Sequence, residues 1–188
     1  MRAAREAWFA GQLDLDPDRL VFLDETAAST NRARRYGRAP RGERCRIAVP
    51  HGHSKTTTVT AALRATGLAA TALLDGATNG TRLRAYVRDT LVPVLKRGDT
   101  VILDNLPAPK VAGVREAIEA AGAQLLYLPP YSPDFNPIEN AFAKLKALLR
   151  KAAERTIEGL WTAIGRLIDV FTPTECTNYF AAAGYDAT

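Results

Sequence analysis

Residues 19–26 read Arg-Leu-Val-Phe-Leu-Asp-Glu-Thr, a short apolar run that stops at two acids. Aromatic and branched side chains in such a run are typical of a buried β-strand. Residues 100–105, Thr-Val-Ile-Leu-Asp-Asn, repeat the arrangement, with Asp104 in the position of Asp24. Both segments therefore predict a buried strand that ends on a carboxylate, at the edge where open α/β sheets bind ligands.

Around these two segments the chain changes from extended to alternating patterns. Further strands are predicted over 46–49 and 56–63, joined as a hairpin, and over 69–74 and 125–128. Helical spacing predicts helices over 83–95, 110–122, 138–149 and 157–171, the last of which stops at Pro173. Strands that come first and then alternate with helices predict an α/β domain with a mixed central sheet, antiparallel leading strands and flanking helices.

The composition is that of one globular domain: 188 residues, 47% hydrophobic, with a net charge of +5. Residues 1–18 are interpreted as a lead-in or remnant segment and residues 19–188 as the domain. No apolar run approaches the roughly 18 to 20 residues of a membrane span, and no secretory segment follows Met1. We therefore expect a cytoplasmic protein without a membrane partner, and Cys45 and Cys176 are expected to be reduced thiols.

A third acid, Glu139, begins the helix predicted after a proline-rich loop. Alone, each acid fits an ordinary role, since Asp opens turns and caps helices and Glu is favoured in a first helical turn. If Asp24, Asp104 and Glu139 meet, however, their charges repel one another unless cations lie between them. Mg²⁺ takes oxygen ligands of this kind, and two such ions about 3.5 to 4 Å apart stabilise an in-line phosphoryl displacement.

Basic residues are unevenly distributed. Between residues 27 and 55 eight cations stand against one acid, Glu43, and they are Arg32, Arg34, Arg35, Arg38, Arg41, Arg44, Arg46 and Lys55. Such a segment can be a solvated surface, but we favour contact with DNA phosphates. Lys146 and Arg150 follow Glu139 on one helix face and are expected to contact phosphate too, as is Lys110.

The motifs that carry the three acids resemble the catalytic domain of DDE transposases from bacterial insertion sequences related to the mariner group. They are Phe22-Leu-Asp24-Glu-Thr26, Leu103-Asp104-Asn105 and Leu128-Pro-Pro-Tyr-Ser-Pro-Asp-Phe-Asn-Pro-Ile-Glu139-Asn140. The 34 residues between Asp104 and Glu139 are the interval of that family. The segments Arg38-Ala-Pro-Arg-Gly-Glu and Pro50-His-Gly-His-Ser-Lys-Thr-Thr-Thr are similar as well, so the resemblance covers nearly the whole chain from Arg19.

The resemblance implies an RNase H-like fold in which Asp24, Asp104 and Glu139 bind two Mg²⁺ or Mn²⁺ ions. It implies cleavage of double-stranded DNA at transposon ends, transfer of the 3′-hydroxyl to target DNA, and a homodimer acting at the bacterial nucleoid. The family carries N-terminal helix-turn-helix modules, for which there is no room before Asp24. We therefore expect a catalytic fragment or one half of a split reading frame, with a separate helix-turn-helix half as partner.

Two alternatives stay open. The first is a stand-alone RNase H-like nuclease or resolvase, which cleaves DNA and never joins it. The second is a catalytically weakened DNA-binding or dimerisation module left by a decayed element. Pro109 favours this second alternative, because the resembling family usually carries a His at that position.

Overall fold

A computed structural model describes residues 2–31, 37–46, 55–104 and 113–186. Its strands are β1 (Leu20–Ser29), β2 (Thr56–Arg64), β3 (Gly67–Asp75), β4 (Thr100–Leu103) and β5 (Gln124–Tyr127). Its helices are α1 (Arg2–Gly11), α2 (Gly80–Tyr86), α3 (Val114–Ala120), α4 (Ile138–Ala152), α5 (Ile157–Ile168) and α6 (Pro173–Ala182). A π-helical turn over Val87–Leu91 extends α2. In this described part no helix is both long enough and apolar enough to cross a membrane.

The strands form one mixed sheet in the order β3-β2-β1-β4-β5. β2 runs antiparallel to both β1 and β3, whereas β4 and β5 run parallel to β1. Helices cover both faces. The predicted mixed sheet with antiparallel leading strands and flanking helices is therefore confirmed.

The central strand differs from the prediction in one respect. β1 continues past Asp24 to Ser29, because residues 24–29 stay paired with β2. Its pairing with β4 stops at Leu23 and Leu103. The prediction that the strand ends at Asp24 is therefore wrong for the pairing with β2, which continues to Ser29. It is correct for the pairing with β4, in which Asp24 is the first residue without a partner.

The predicted hairpin also has another partner. Residues 47–49 lie outside the described residues, and Arg46 is not part of a strand. β2 instead forms its hairpin with β3 through Ala65-Thr66, and Gly67 follows with a φ of 143° that favours glycine. A two-residue connection of this kind suits antiparallel neighbours.

Alternation along β1 divides the hydrophobic core into two layers. Leu20 and Phe22 belong to the layer with α4, α5 and α6. Val21 and Leu23 belong to the layer with α2 and α3. Asp24 therefore continues the Phe22 side of the strand, toward α4.

The chain termini pack together, which local sequence patterns did not predict. The indole Nε1 of Trp8 in α1 donates to the hydroxyl of Tyr185 at 3.0 Å, and that hydroxyl donates to the Phe135 carbonyl at 2.9 Å. Gln12 is buried and donates to the Gly184 carbonyl at 3.1 Å. The division at residue 19 stays a prediction, but the segment before it contacts the domain closely.

The prediction that the last helix stops at Pro173 is wrong. α5 ends at Ile168, and Pro173 occupies the first turn of a further helix, α6, where proline is favoured. The Thr172 side chain accepts from the Glu175 N–H and caps this helix. Cys176 of α6 is buried, and both Cys176 and Cys45 are free thiols.

A buried ion pair joins the end of β2 to the turn before β4. Arg64 Nη2 lies 2.5 Å from Asp99 Oδ2, which also accepts from the Lys96 N–H at 2.7 Å. Burial alone would raise the pKa of Asp99, yet these hydrogen bonds hold it below its ordinary value. The pair fixes the start of β4 and hence the register in which Asp104 follows.

We expect Arg64→Ala to lower the free energy of unfolding by about 3–5 kcal/mol, because it leaves the Asp99 charge buried and unpaired. Urea unfolding followed by circular dichroism measures this loss. Adding Asp99→Asn to Arg64→Ala is expected to recover part of it, since a neutral amide removes the buried charge. A loss below about 1 kcal/mol for Arg64→Ala would contradict this account of the pair.

Candidate active site

Two carboxylates meet at the carboxyl edge of the parallel strands. Leu23 of β1 lies opposite Leu103 of β4, so Asp24 and Asp104 follow at the same level of the sheet. Asp104 continues the Ile102 side of β4, which packs in the α4 layer. Both side chains are half-buried. The sequence prediction that two acids are held side by side at this edge agrees with the strand register.

The third carboxylate comes from the first turn of α4. This helix packs against β1 and β2 through an apolar stripe that includes Ile138, Phe142 and Leu145. Burial of Ile138 fixes where α4 begins and leaves the neighbouring Glu139 exposed. Glu139 therefore stands at the end of α4 that faces the Asp24 edge, and after burial its charge is one of the causes that raise the pKa of Asp24.

Asp24 has a raised pKa, which reports on its burial and on the charges around it. Its pKa is raised to about 7, chiefly by burial; the Glu25 N–H lowers it, and the charges of Glu139, Asp104 and Glu25 add to the rise. That N–H donates to Asp24 Oδ1 at 2.7 Å. The three predicted acids are therefore near enough to repel one another, and in the absence of a cation Asp24 is partly protonated at neutral pH.

Asn136 is a site residue to which sequence reasoning assigned no role. Its Nδ2 donates to Asp24 Oδ2 at 3.1 Å, and the residue is 4% exposed. Its Oδ1 is also buried and has no hydrogen-bond partner within the described part of the chain. The signal in the sequence is an amide inside the long motif that precedes Glu139, three residues before the acid.

The acids do not form a closed metal site. Within residues 2–31, 37–46, 55–104 and 113–186, no group of three His, Cys, Asp or Glu side chains is arranged to hold a metal ion. The donors nevertheless fit a hard cation, because they combine carboxylate oxygens with the unpaired Oδ1 of Asn136. Repulsion among carboxylates is the state that a divalent cation would relieve.

Two neighbouring acids are separated from this group. Glu25 lies on the opposite face of β1 from Asp24. On that face burial raises the pKa of Tyr86, and the charge of Glu25 is a second cause of the rise. Asp134 pairs with Arg5 at 2.6 Å, and that hydrogen bond holds its pKa below the ordinary value. Their positions agree with the sequence interpretation that set both apart from the three candidate acids.

The predicted phosphate contacts are only partly described. Arg32, Arg34, Arg35 and Lys110 lie outside the described residues, as does Pro109. Arg38 and Lys55 are exposed, and Lys146 and Arg150 are half-buried on α4. Lys55 also lines a cavity of about 320 Å³ with Arg155, whose guanidinium donates to the Thr30 carbonyl at 3.2 Å.

A mixed sheet of this order and direction, flanked by helices on both faces, has the RNase H-like fold. Residues 19–160 match the family described as DDE superfamily endonuclease, which is more than half of the chain. The chain belongs to this family. A comparison with curated proteins finds no match.

Solved structures of the Mos1 mariner transposase share the fold. In a strand transfer complex the identity is 20% and the TM-score 0.61, over 97% of this chain and 60% of that chain. For a paired-end complex with Mn, the identity is 20% and the TM-score 0.55, and the match covers 97% of this chain and 61% of that chain. For the Mos1 catalytic domain with raltegravir and Mg, the identity is 18% and the TM-score 0.58, and the match covers 97% of this chain and 85% of that chain. This chain thus spans about three-fifths of the transposase in the two DNA complexes.

The raised pKa of Asp24 predicts a pH-dependent stability in metal-free buffer. Between the ordinary pKa of about 3.9 and the folded value of about 7, the folded protein binds more protons than the unfolded chain, so stability falls as pH rises. Relative to Asp24→Asn, the wild type is expected to lose about 2–4 kcal/mol from pH 4 to pH 8. Urea unfolding in the presence of EDTA measures this difference.

The exposed Asp169 after α5 supplies the control. Asp169→Asn is expected to keep the wild-type pH profile. When Mn²⁺ replaces EDTA, the wild type is expected to recover at pH 8 the stability that it lost. Parallel profiles for the wild type and Asp24→Asn would show that Asp24 has an ordinary pKa.

Proposed function

We propose that this chain is the catalytic domain of a metal-dependent DNA transposase, acting in the bacterial cytoplasm on nucleoid DNA. It cuts phosphodiester bonds at transposon ends and joins the freed 3′-hydroxyl to target DNA. The observation that carries the proposal is the strand register that brings Asp24 and Asp104 together where β1 and β4 part, with Glu139 in the first turn of α4. Family membership and the Mos1 fold support it.

The metal ions of the proposal are Mg²⁺ or Mn²⁺. Asp24 and Asp104 would hold them, and Glu139 would complete the site. Bound in a pair, such ions stabilise the charges on the attacking and leaving oxygens of an in-line displacement. The Mos1 structures with Mn and with Mg support this choice.

The residues of the chain have separate tasks. Asn136 holds Asp24 through Oδ2, which leaves the other carboxylate oxygen to the Glu25 N–H. The half-buried position of Asp24 and Asp104 limits water around the reacting phosphate, where electrostatic contacts are stronger. Glu139 is exposed, so the helix that carries it can approach a large polymeric substrate.

DNA binding would use the cations near this edge. Lys146 and Arg150 share the Glu139 side of α4, and Arg38 and Lys55 are exposed. Contacts of these cations with phosphate give affinity without sequence preference. The proposal includes a homodimer on two DNA ends, which the likeness to the Mos1 paired-end complex supports. A separate helix-turn-helix partner would supply recognition of the ends.

A second candidate function is a DNA-binding or dimerisation module with weakened catalysis, and Pro109 favours it. A proline has no imidazole that could bind metal, transfer a proton or donate to phosphate. This candidate predicts DNA binding that persists without divalent ions and is insensitive to Asp104→Asn. A stand-alone nuclease is distinguished by an end-joining assay. It would cleave the DNA in that assay and form no joined product.

Mn²⁺ titration by calorimetry tests the proposed site directly. We expect saturable binding to the wild type and a loss of at least about tenfold in affinity for Asp24→Asn, Asp104→Asn and Glu139→Gln. Asn136→Ala is expected to lose about 10- to 100-fold, because it removes the group that orients Asp24.

Asp169→Asn is the matched control and is expected to bind Mn²⁺ as the wild type does. Circular dichroism must show that every variant is folded. A folded wild type that binds no Mn²⁺, or a substitution at the three acids that leaves the affinity unchanged, would contradict the proposed metal site.

The salt dependence of DNA affinity tests the α4 cations. We expect Lys146→Ala with Arg150→Ala to weaken binding to duplex DNA at low salt and to reduce the slope of log affinity against log salt by about 1 to 2. Fluorescence anisotropy over a series of salt concentrations measures both quantities. Lys151→Ala with Arg166→Ala, at exposed positions of α4 and α5, removes the same charge and is the control. An unchanged slope for the double variant would remove these cations from the interface.

A further inference from the structure

Tyr131 is an aromatic side chain presented to solvent. It is 85% exposed, the largest fraction among the exposed large hydrophobic side chains of the described residues. A single exposed apolar side chain is ordinary on a protein surface. Tyr131 differs because its backbone is also in the left-handed region, at a φ of 57°. Side-chain-bearing residues rarely adopt that conformation, and it is found preferentially at functional sites.

The loop around Tyr131 keeps this conformation through several contacts. Arg5 of α1 donates to the Tyr131 carbonyl at 3.4 Å and to Ser132 Oγ at 2.8 Å. The same guanidinium forms a two-pronged ion pair with Asp134, at 2.9 and 2.6 Å, and lies 4.8 Å from the centre of the Phe135 ring. The ring of Tyr131 is thus displayed from a braced backbone.

The loop connects the two halves of the carboxylate site. At one end Leu128 donates its N–H to the Leu103 carbonyl at 2.9 Å, directly before Asp104. At the other end Asn136 donates to Asp24. Tyr131 lies between these anchors along the chain, in the loop that joins the two strand ends carrying the acids to the start of α4.

We propose that Tyr131 is a stacking platform for a nucleobase at a DNA end or an unpaired position, beside the reacting phosphate; this inference rests on the proposed function. A braced tyrosine gives contact area at a small cost in conformational entropy, because its side chain has only two rotatable angles. Bases inside a duplex have both faces covered, whereas a terminal or unpaired base has a free face. Aromatic stacking accepts any base, so the platform adds affinity for ends without adding a sequence preference.

The test uses the whole chain and a duplex whose three-nucleotide overhang carries 2-aminopurine, in Ca²⁺ buffer. Stacking on Tyr131 is expected to quench the 2-aminopurine fluorescence with the wild type and with Tyr131→Phe. Tyr131→Gly is expected to bind this DNA about 5- to 150-fold more weakly and to give no quenching. On a relaxed, covalently closed circular duplex, which has no terminal base, all three proteins are expected to bind equally.

Tyr131→Gly separates stacking from folding, because glycine adopts a φ of 57° without strain. Its melting temperature is expected to equal or exceed that of the wild type. Phe9→Ala, which removes another exposed aromatic side chain, is expected to keep wild-type affinity and quenching.

The outcomes separate this inference from the function on which it rests. Equal affinity and quenching for Tyr131→Gly and the wild type would overturn the stacking platform and leave the transposase proposal standing. A wild type that binds neither the overhang duplex nor the closed circle would overturn both.

Discussion

The site depends on the point at which β1 and β4 part. Up to Leu23 the central strand has a hydrogen-bonded neighbour on each side, and beyond it only β2 remains. Asp24 is therefore held in a rigid strand and is open on the side where β4 has ended. Its carboxylate shares this opening with Asp104, which the same parallel register places beside it. A ligand can reach the opening without disturbing the sheet.

This arrangement stores electrostatic repulsion in the folded protein. Three acids near one another oppose folding unless a cation or a proton compensates for their charge, and a single amide from Asn136 offsets little of that repulsion. The rest of the domain must supply the stability, which it does through two apolar layers. Acids gathered at the edge of an otherwise apolar sheet are typical of a site selected for binding and not for stability.

Local sequence patterns predicted the features that depend on neighbouring residues. The apolar runs before Asp24 and Asp104 and the helical stripe after Glu139 are all present. Patterns failed where a distant partner decides the structure. β2 keeps β1 extended past Asp24, and the contact of Trp8 with Tyr185 joins residues 177 positions apart. Local patterns likewise could not predict the role of Asn136, because it depends on the carboxylate of Asp24, which is distant in the sequence.

The loop before α4 shows how distant parts of the chain set the site. Arg5 holds its first half at Asp134, and the Tyr185 hydroxyl, itself bonded to Trp8, holds its second half at the Phe135 carbonyl. Asn136 follows directly, so both ties help to hold the loop in the conformation from which Asn136 donates to Asp24. Contacts from α1 and from the segment after α6 therefore act on the same carboxylate as the sheet does. The segment that precedes the family match at residue 19 is, on this argument, part of the machinery that orients Asp24.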